Sequence, residues 1–363
     1  MAIVNFQRAH DMTSPNVWFG TVTEMTANYL STVSGDLTST YYGVLKYKNG
    51  VVSGGTVTGY SQYYQGDIDY YFYNASLNAA KVSKYVHAGN AEQLQAYALS
   101  GNDTVYGSEY ADKLLGYKGN DFIQSNAGDD YINGGVGKDV MKGGTGSDYY
   151  VVDNKNDIVI EYDGEGVDTI SSTVTFDLAA KANDVEALSL EGSKKLNGYG
   201  NLLDNRLTGN TGANILDGRD GNDVIDGKAG KDIILGGKGS DNLTGGLGAD
   251  TFKWSLADIG TDTDTITDFN IAEKDKLDLR DLLVGESKKD MTDLLSYIDI
   301  SHQGDDKIIS ISSHGSFANG QLDANAIDQT IVLHDFNHAQ IATFSTEEQL
   351  LKHLVTQKII LVD

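Results

Sequence analysis

The chain has 363 residues with 42 glycines and a single proline, a composition that fits a glycine-punctuated solenoid better than a set of ordinary globular domains. With 52 acidic against 27 basic side chains, its net charge of −25 disfavours nucleic acid and anionic lipid and makes cations the natural partners. The absence of cysteine excludes disulfides, thiolate catalysis and Cys-based zinc or iron–sulfur sites, and no apolar run is long enough to span a bilayer.

Residues 1–97 read as a small strand-rich module. The first ten residues lack the basic and apolar regions of a secretory signal, which leaves cytoplasmic residence or export without a cleaved N-terminal signal. Residues 41–48, 56–64 and 67–73 are expected strands of an antiparallel meander, with Asn49-Gly50 as a hairpin turn. Ser76 is an expected cap for a short helix running to Val86, and Asn90 for another carrying Leu94, Tyr97 and Ala98 on one face. The tyrosines here, among them Tyr41, Tyr60, Tyr63 and Tyr71, suit either the half-buried strands of a cap or a stacking platform for sugars.

From residue 98 the chain repeats with period nine. Residues 98–151 form a first array, with Asp103, Asp112, Asp121, Asp130, Asp139 and Asp148 at the sixth position of each unit. Val105, Leu114, Ile123, Ile132, Met141 and Tyr150 follow two places later. Residues 200–253 form a second array with Asn205, Asn214, Asp223, Asp232, Asp241 and Asp250, paired with Leu207, Leu216, Ile225, Ile234, Leu243 and Phe252. Residues 152–199 lose the glycine loops but keep short apolar strands, and Asp168, Thr169 and Ile170 reproduce the Asp103, Thr104 and Val105 triplet, so the coil is expected to continue there. Residues 254–363 read as a β-rich closing region with two helices: one over Met291, Leu294, Leu295 and Ile298, the other capped by Ser345 with Glu348 three places on.

The chemistry of the repeat points to calcium. Early glycines allow positive φ and bring carbonyl oxygens together, the sixth residue adds a carboxylate, and residues seven to nine make a short strand whose central side chain points inward. Two nonapeptides complete a coil, so Asp121 stacks on Asp139, Asp130 on Asp148, Asp223 on Asp241 and Asp232 on Asp250. At the sheet spacing of about 4.8 Å such carboxylates repel, and a divalent cation reverses that sign. Ligation by oxygen alone selects a hard ion, and six or more ligands suit Ca²⁺. One inward side chain per nine residues is a thin core, so metal binding is expected to drive folding. The outer units, where Ala98-Leu99, Ser108 and Tyr110 replace glycines and Asn205 and Asn214 replace aspartate, are expected to bind weakly or not at all.

GGVGKDVMK, GGTGSDYYV, GRDGNDVID, GKAGKDIIL, GGKGSDNLT and GGLGADTFK resemble the RTX (repeats-in-toxin) nonapeptides of Gram-negative secreted proteins, over roughly residues 98–253. The resemblance implies a mainly β fold, a right-handed parallel β-roll that binds several Ca²⁺ ions between turns. It implies ligation by the aspartates above and by the carbonyls of Gly119, Gly128, Gly137, Gly146, Gly221, Gly230, Gly239 and Gly248. The tail DTDTITDFNIAEKDKLDLRDLL is similar to the segment that follows the last repeats in proteins exported by a type I secretion apparatus. A chain unfolded in the cytosol and folded outside the cell is thereby implied.

No catalytic constellation accompanies the repeats. None of the seven histidines is followed by glutamate, no GxSxG occurs, and His334 and His338 lie beside a strand-like IVL. A surface, matrix or adhesive role, with polysaccharide as a candidate ligand, is therefore expected. The alternative is an extracellular enzyme acting on polysaccharide or lipid, with Glu24, Asp67 and Asp69 near the tyrosines.

Overall fold

A computed structural model describes residues 3–6, 21–25, 29–34, 37–48, 51–64, 67–78, 81, 96–260, 262–283, 294–317, 324–336, 344 and 346–362. The chain divides into two units, Met1–Ser171 and Ser172–Asp363.

In the first unit, the strands Thr104–Tyr106, Phe122–Ala127, Val140–Thr145 and Ile158–Ile160 make one parallel face. Lys113–Leu115, Tyr131–Asn133 and Tyr149–Val152 make the other. Phe122 pairs with Val140 and Val140 with Ile158, a register of eighteen residues, or two nonapeptides per coil. Every eighth-position side chain from Val105 to Tyr150 is fully buried. This alternation of one inward and two outward residues is the strand period imposed on a three-residue strand.

The meander adjoins the coil through a strand at the very start of the chain. Ile3–Phe6 pairs antiparallel with Asp67–Asn78 and parallel with Thr104–Tyr106, setting Val4 beside Val105. Leu37–Lys48, Val51–Tyr64 and Asp67–Asn78 follow one another as expected, with Lys48 opposite Val51 across the two-residue connection. Ser76 lies inside the strand Asp67–Asn78 and caps no helix, because that strand outruns its expected end to pair with Thr56 and Val57. Of the rest of that expected helix, Leu77 and Asn78 lie in the same strand, Lys81 is helical and the other residues fall outside the described ones; of the next, residues 96–98 are helical.

The second unit repeats the arrangement. Asn197–Tyr199, Ile215–Asp220, Ile233–Lys238 and Thr251–Ser255 form one parallel face, while Arg206–Thr208, Val224–Asp226 and Asn242–Thr244 form the other. Beyond the repeats the connections lengthen while the parallel pairing persists. Asn242 pairs with Thr265, Thr251 with Lys276, and the final strand Ile360–Leu361 lies beside Leu277. Ile298 starts a strand, Ile298–Gln303, rather than extending a helix from Leu294. The last helix, Glu347–Thr356, is capped by Thr346, whose hydroxyl accepts the Gln349 N–H at 3.2 Å; Ser345 lies outside the described residues. Leu350, Leu351 and Leu354 are buried on its inner face.

Between the arrays the coil continues through the loss of the glycine loops, but its turns lengthen: Asp148 meets Asp168 after 20 residues and Phe176 pairs with Gly198 after 22. Ile170 is fully buried in Thr169–Ser172, and the Asp168 carboxylate accepts the N–H of Asp148 at 2.8 Å, as the repeat aspartates do one turn earlier.

Candidate metal centres

Each sixth-position aspartate divides its two carboxylate oxygens between different tasks. Oδ1 accepts the backbone N–H of the sixth-position residue one coil earlier: Asp103 donates to Asp121 at 2.7 Å, Asp121 to Asp139 at 2.8 Å and Asp130 to Asp148 at 2.8 Å. In the second array Asn205 donates to Asp223 at 2.7 Å, Asp223 to Asp241 at 2.8 Å and Asp232 to Asp250 at 2.8 Å. The stacking expected from the period is therefore a hydrogen-bonded one, which brings the carboxylates into one file on each side of the coil.

The second oxygen is different. Oδ2 of Asp121, Asp130, Asp139, Asp148, Asp223, Asp232, Asp241 and Asp250 is buried with no hydrogen-bond partner. These residues are at most 2 % exposed. An anionic acceptor is rarely left so without a cation to meet it.

Main-chain oxygens gather beside these orphans. At Gly227, the first residue of its unit, a Cβ would lie 2.8 Å from Asp232 Oδ2 and 2.7 Å from the carbonyl oxygen of Gly245, eighteen residues on. At Gly230, the fourth residue, φ is +150° and a Cβ would lie 2.9 Å from Asp232 Oδ1 and 2.7 Å from the carbonyl of Gly212. Glycine is required because oxygens occupy the place of a side chain. Seven of the eight fourth-position glycines named from the sequence have φ between +108° and +150°; Gly137 does not adopt that conformation. The carbonyls of first-position glycines, such as Gly245, were not singled out by sequence reasoning.

At the ends of the arrays the protein supplies the missing partner. Asp112 Oδ2 accepts from the N–H and hydroxyl of Ser108 at 2.6 and 2.9 Å, and Asp157 Oδ2 from the Asn154 N–H at 3.1 Å. Asn205 and Asn214 accept at Oδ1 from Asn201 and Asn210 and donate through Nδ2 to main-chain carbonyls, Asn214 to Leu196 at 2.8 Å. After the second array, Asp264 Oδ2 accepts from Trp254 Nε1 at 2.6 Å and Gln329 Nε2 at 2.9 Å, and Asp275 Oδ2 from the Asn270 N–H at 2.8 Å. In three of these closed units the backbone N–H of the residue four places before the sixth, Ser108, Asn201 or Asn210, donates to the sixth-position side chain. Residue type there does not mark them, since Asn126, Arg219 and Lys228 hold the same place before Asp130, Asp223 and Asp232.

Burial dominates the electrostatics. It pushes the carboxyls of Asp121, Asp130, Asp148 and Asp232 up to about 7, and that of Asp223 to about 8. Asp139 and Asp241 rise to about 6. The hydrogen bonds to Oδ1 pull the other way without cancelling the loss of water, and neighbouring aspartates add to the rise.

The donor set fits a hard cation: carboxylate and carbonyl oxygens, without nitrogen or sulfur, around unpartnered anionic atoms. Replacing Asp139 with Ala removes both an orphan oxygen and the acceptor of the Asp121 N–H. The expected result is a calcium titration with lower cooperativity and a midpoint raised roughly tenfold, read by circular dichroism.

The RTX calcium-binding nonapeptide repeat is matched in four copies, at residues 97–130, 115–150, 199–234 and 220–252. No curated protein matches the chain. Among solved structures, the AlgE6R3 subunit of the Azotobacter vinelandii mannuronan C5-epimerase is 27 % identical, with 40 % of this chain and 82 % of that one covered and a TM-score of 0.28. The extracellular lipase LipA of Serratia marcescens is 18 % identical, with 72 % of this chain covered and a TM-score of 0.24; the match spans 38 % of the lipase. The two files of buried aspartates thus belong to RTX calcium-binding nonapeptide repeats, each array a parallel β-roll built to hold Ca²⁺.

Proposed function

We propose that the protein is secreted through a type I apparatus, folds on calcium outside the cell, and serves a structural or adhesive role at the cell surface or in its matrix. The observation that carries this is the set of eight buried Oδ2 atoms left without partners. Such a chain has reason to stay unfolded where calcium is scarce and to fold where it reaches about 10⁻⁴ to 10⁻³ M, the range of extracellular calcium modules. Ca²⁺ would be held by the eight interior aspartates and adjacent glycine carbonyls, supplying the charge that the fold lacks. At the outer positions Asp112, Asn205 and Asn214, the protein's own donors do that work.

The meander supports a structural role. Through Ile3–Phe6 it covers the edge of Thr104–Tyr106, which would otherwise expose unpaired N–H and C=O groups. The helix Glu347–Thr356 and the strand Ile360–Leu361 close the second unit in the same sense.

Washing producing cells with a chelator is expected to release the protein from the surface fraction. A protein wholly free in the medium and indifferent to calcium sinks the surface role. Turnover of a polysaccharide or lipid ester by the purified protein would establish the enzymatic alternative instead.

A further inference from the structure

The turn that follows the first array has a glutamate where the repeat would place its first glycine. Glu161 stands eighteen residues after Gly143, one step beyond the register pair Lys142 and Ile160. Its side chain folds back over the preceding turn. Oε2 accepts the N–H of Gly144 at 3.4 Å, and Oε1 accepts the hydroxyl of Tyr150. A Cβ placed on Gly143 would collide with Asp148 Oδ2, the Tyr150 hydroxyl and Glu161 Oε1, so these three atoms converge on one point.

Asp168 joins them. Asp148, Glu161 and Asp168 are all buried, and one carboxylate oxygen from each lies within 4.8 Å of the other two. That spread is about twice a calcium–oxygen bond of roughly 2.3–2.6 Å, as expected of ligands on opposite sides of one ion. Two oxygens here have no hydrogen-bond partner: Oδ2 of Asp148, a residue 2 % exposed, and Oε2 of Glu165 on the same turn. Asp168, Asp148 and Glu165 all act on Glu161 with like charge. Carboxylates so concentrated need a cation or a proton.

We propose that Asp148, Glu161, Glu165 and Asp168 form a further cation site that closes the first roll, in which glutamate carboxylates replace the glycine carbonyls used between interior turns. It lies outside the matched repeats, whose first array ends at residue 150, and shares only Asp148 with them, so it rests on the reading of that aspartate as a ligand. Its ligand is a hard divalent ion, Ca²⁺ in the first place. With more carboxylates than an interior site, it binds more tightly and fills first as calcium rises.

The test is a calorimetric Ca²⁺ titration of the full chain, comparing wild type with Glu161→Gln, Glu165→Gln and, as a control, the exposed Asp163→Asn. Glu161→Gln is expected to bind one ion fewer and to lose the tightest phase, weakened roughly tenfold or more, while Asp163→Asn matches wild type. Circular dichroism in saturating Ca²⁺ checks that each variant folds. If Glu161→Gln does not reach the wild-type spectrum, Glu165→Gln decides: a weakened tightest phase supports the site, and an unchanged one overturns it. An unaltered titration for a folded Glu161→Gln also overturns it, leaving Glu161 a neutral plug bonded to Tyr150 while the repeat ligands stand. A wild-type chain that takes up no Ca²⁺ overturns this site and the calcium reading together.

Discussion

Chelation of calcium is expected to abolish most of the β signal in circular dichroism, and millimolar Ca²⁺ to restore it. The eight orphan oxygens set the scale. A buried acceptor without a partner costs about 1–3 kcal/mol, and more when it is charged, so eight together cost roughly 8–24 kcal/mol. A domain's whole stability is about 5–15 kcal/mol. The metal-free roll therefore lies at or beyond the limit of stability, while an ion between turns removes the cost and adds attraction to both files. The inward ladder cannot compensate, since it contributes one fully buried side chain per nine residues. The strands that begin at Thr104 and continue the N-terminal sheet should melt with the roll, because Ile3–Phe6 pairs directly with them. A chelated protein with an unchanged spectrum refutes coupled folding. Proteolysis gives an independent reading: cleavage within residues 98–253 should be rapid in chelator and suppressed by Ca²⁺.

Period nine made the coil, its register and its inward residues legible, because the nonapeptide is at once a turn, a strand and half a coil. Asp121 with Asp139 and Asp232 with Asp250 follow from spacing alone, and the structure pairs both. The division of labour within each carboxylate was not legible. Spacing shows that two aspartates are neighbours, but only the backbone conformation shows that one oxygen is tied to an N–H and the other is left over. The ends were harder still. Trp254, Asp264 and Gln329 meet across 75 residues of sequence with no shared motif, and Glu161 becomes recognisable only when the glycine it replaces is known from the register. Ser76 and Ile298 were misplaced because short segments that satisfy a helical pattern were captured by neighbouring strands, where tertiary pairing outweighs local propensity.

Acid should do part of the work of calcium. In the metal-free fold, burial pushes Asp121, Asp130, Asp148 and Asp232 up to about 7, Asp223 to about 8, and Asp139 and Asp241 to about 6. In the unfolded chain the same groups titrate near 3.9. Between those values the folded state binds more protons than the unfolded one, so stability falls as pH rises. The stability is fully present below about pH 4 and is lost as pH climbs through 6 to 8. With chelator present, a shift from pH 8 to pH 5.5 is thus expected to recover β signal that neutral conditions abolish, because a protonated Oδ2 is no longer a buried anion. Calcium competes with those protons. Its apparent affinity should weaken roughly tenfold or more over the same shift, with protons released into the medium as each ion binds. Circular dichroism across a pH series, with and without Ca²⁺, measures both effects. A metal-free chain that gains structure on raising pH, or a calcium affinity indifferent to pH between 5.5 and 8, would show that the repeat carboxylates are ionised and solvated rather than buried in wait for an ion.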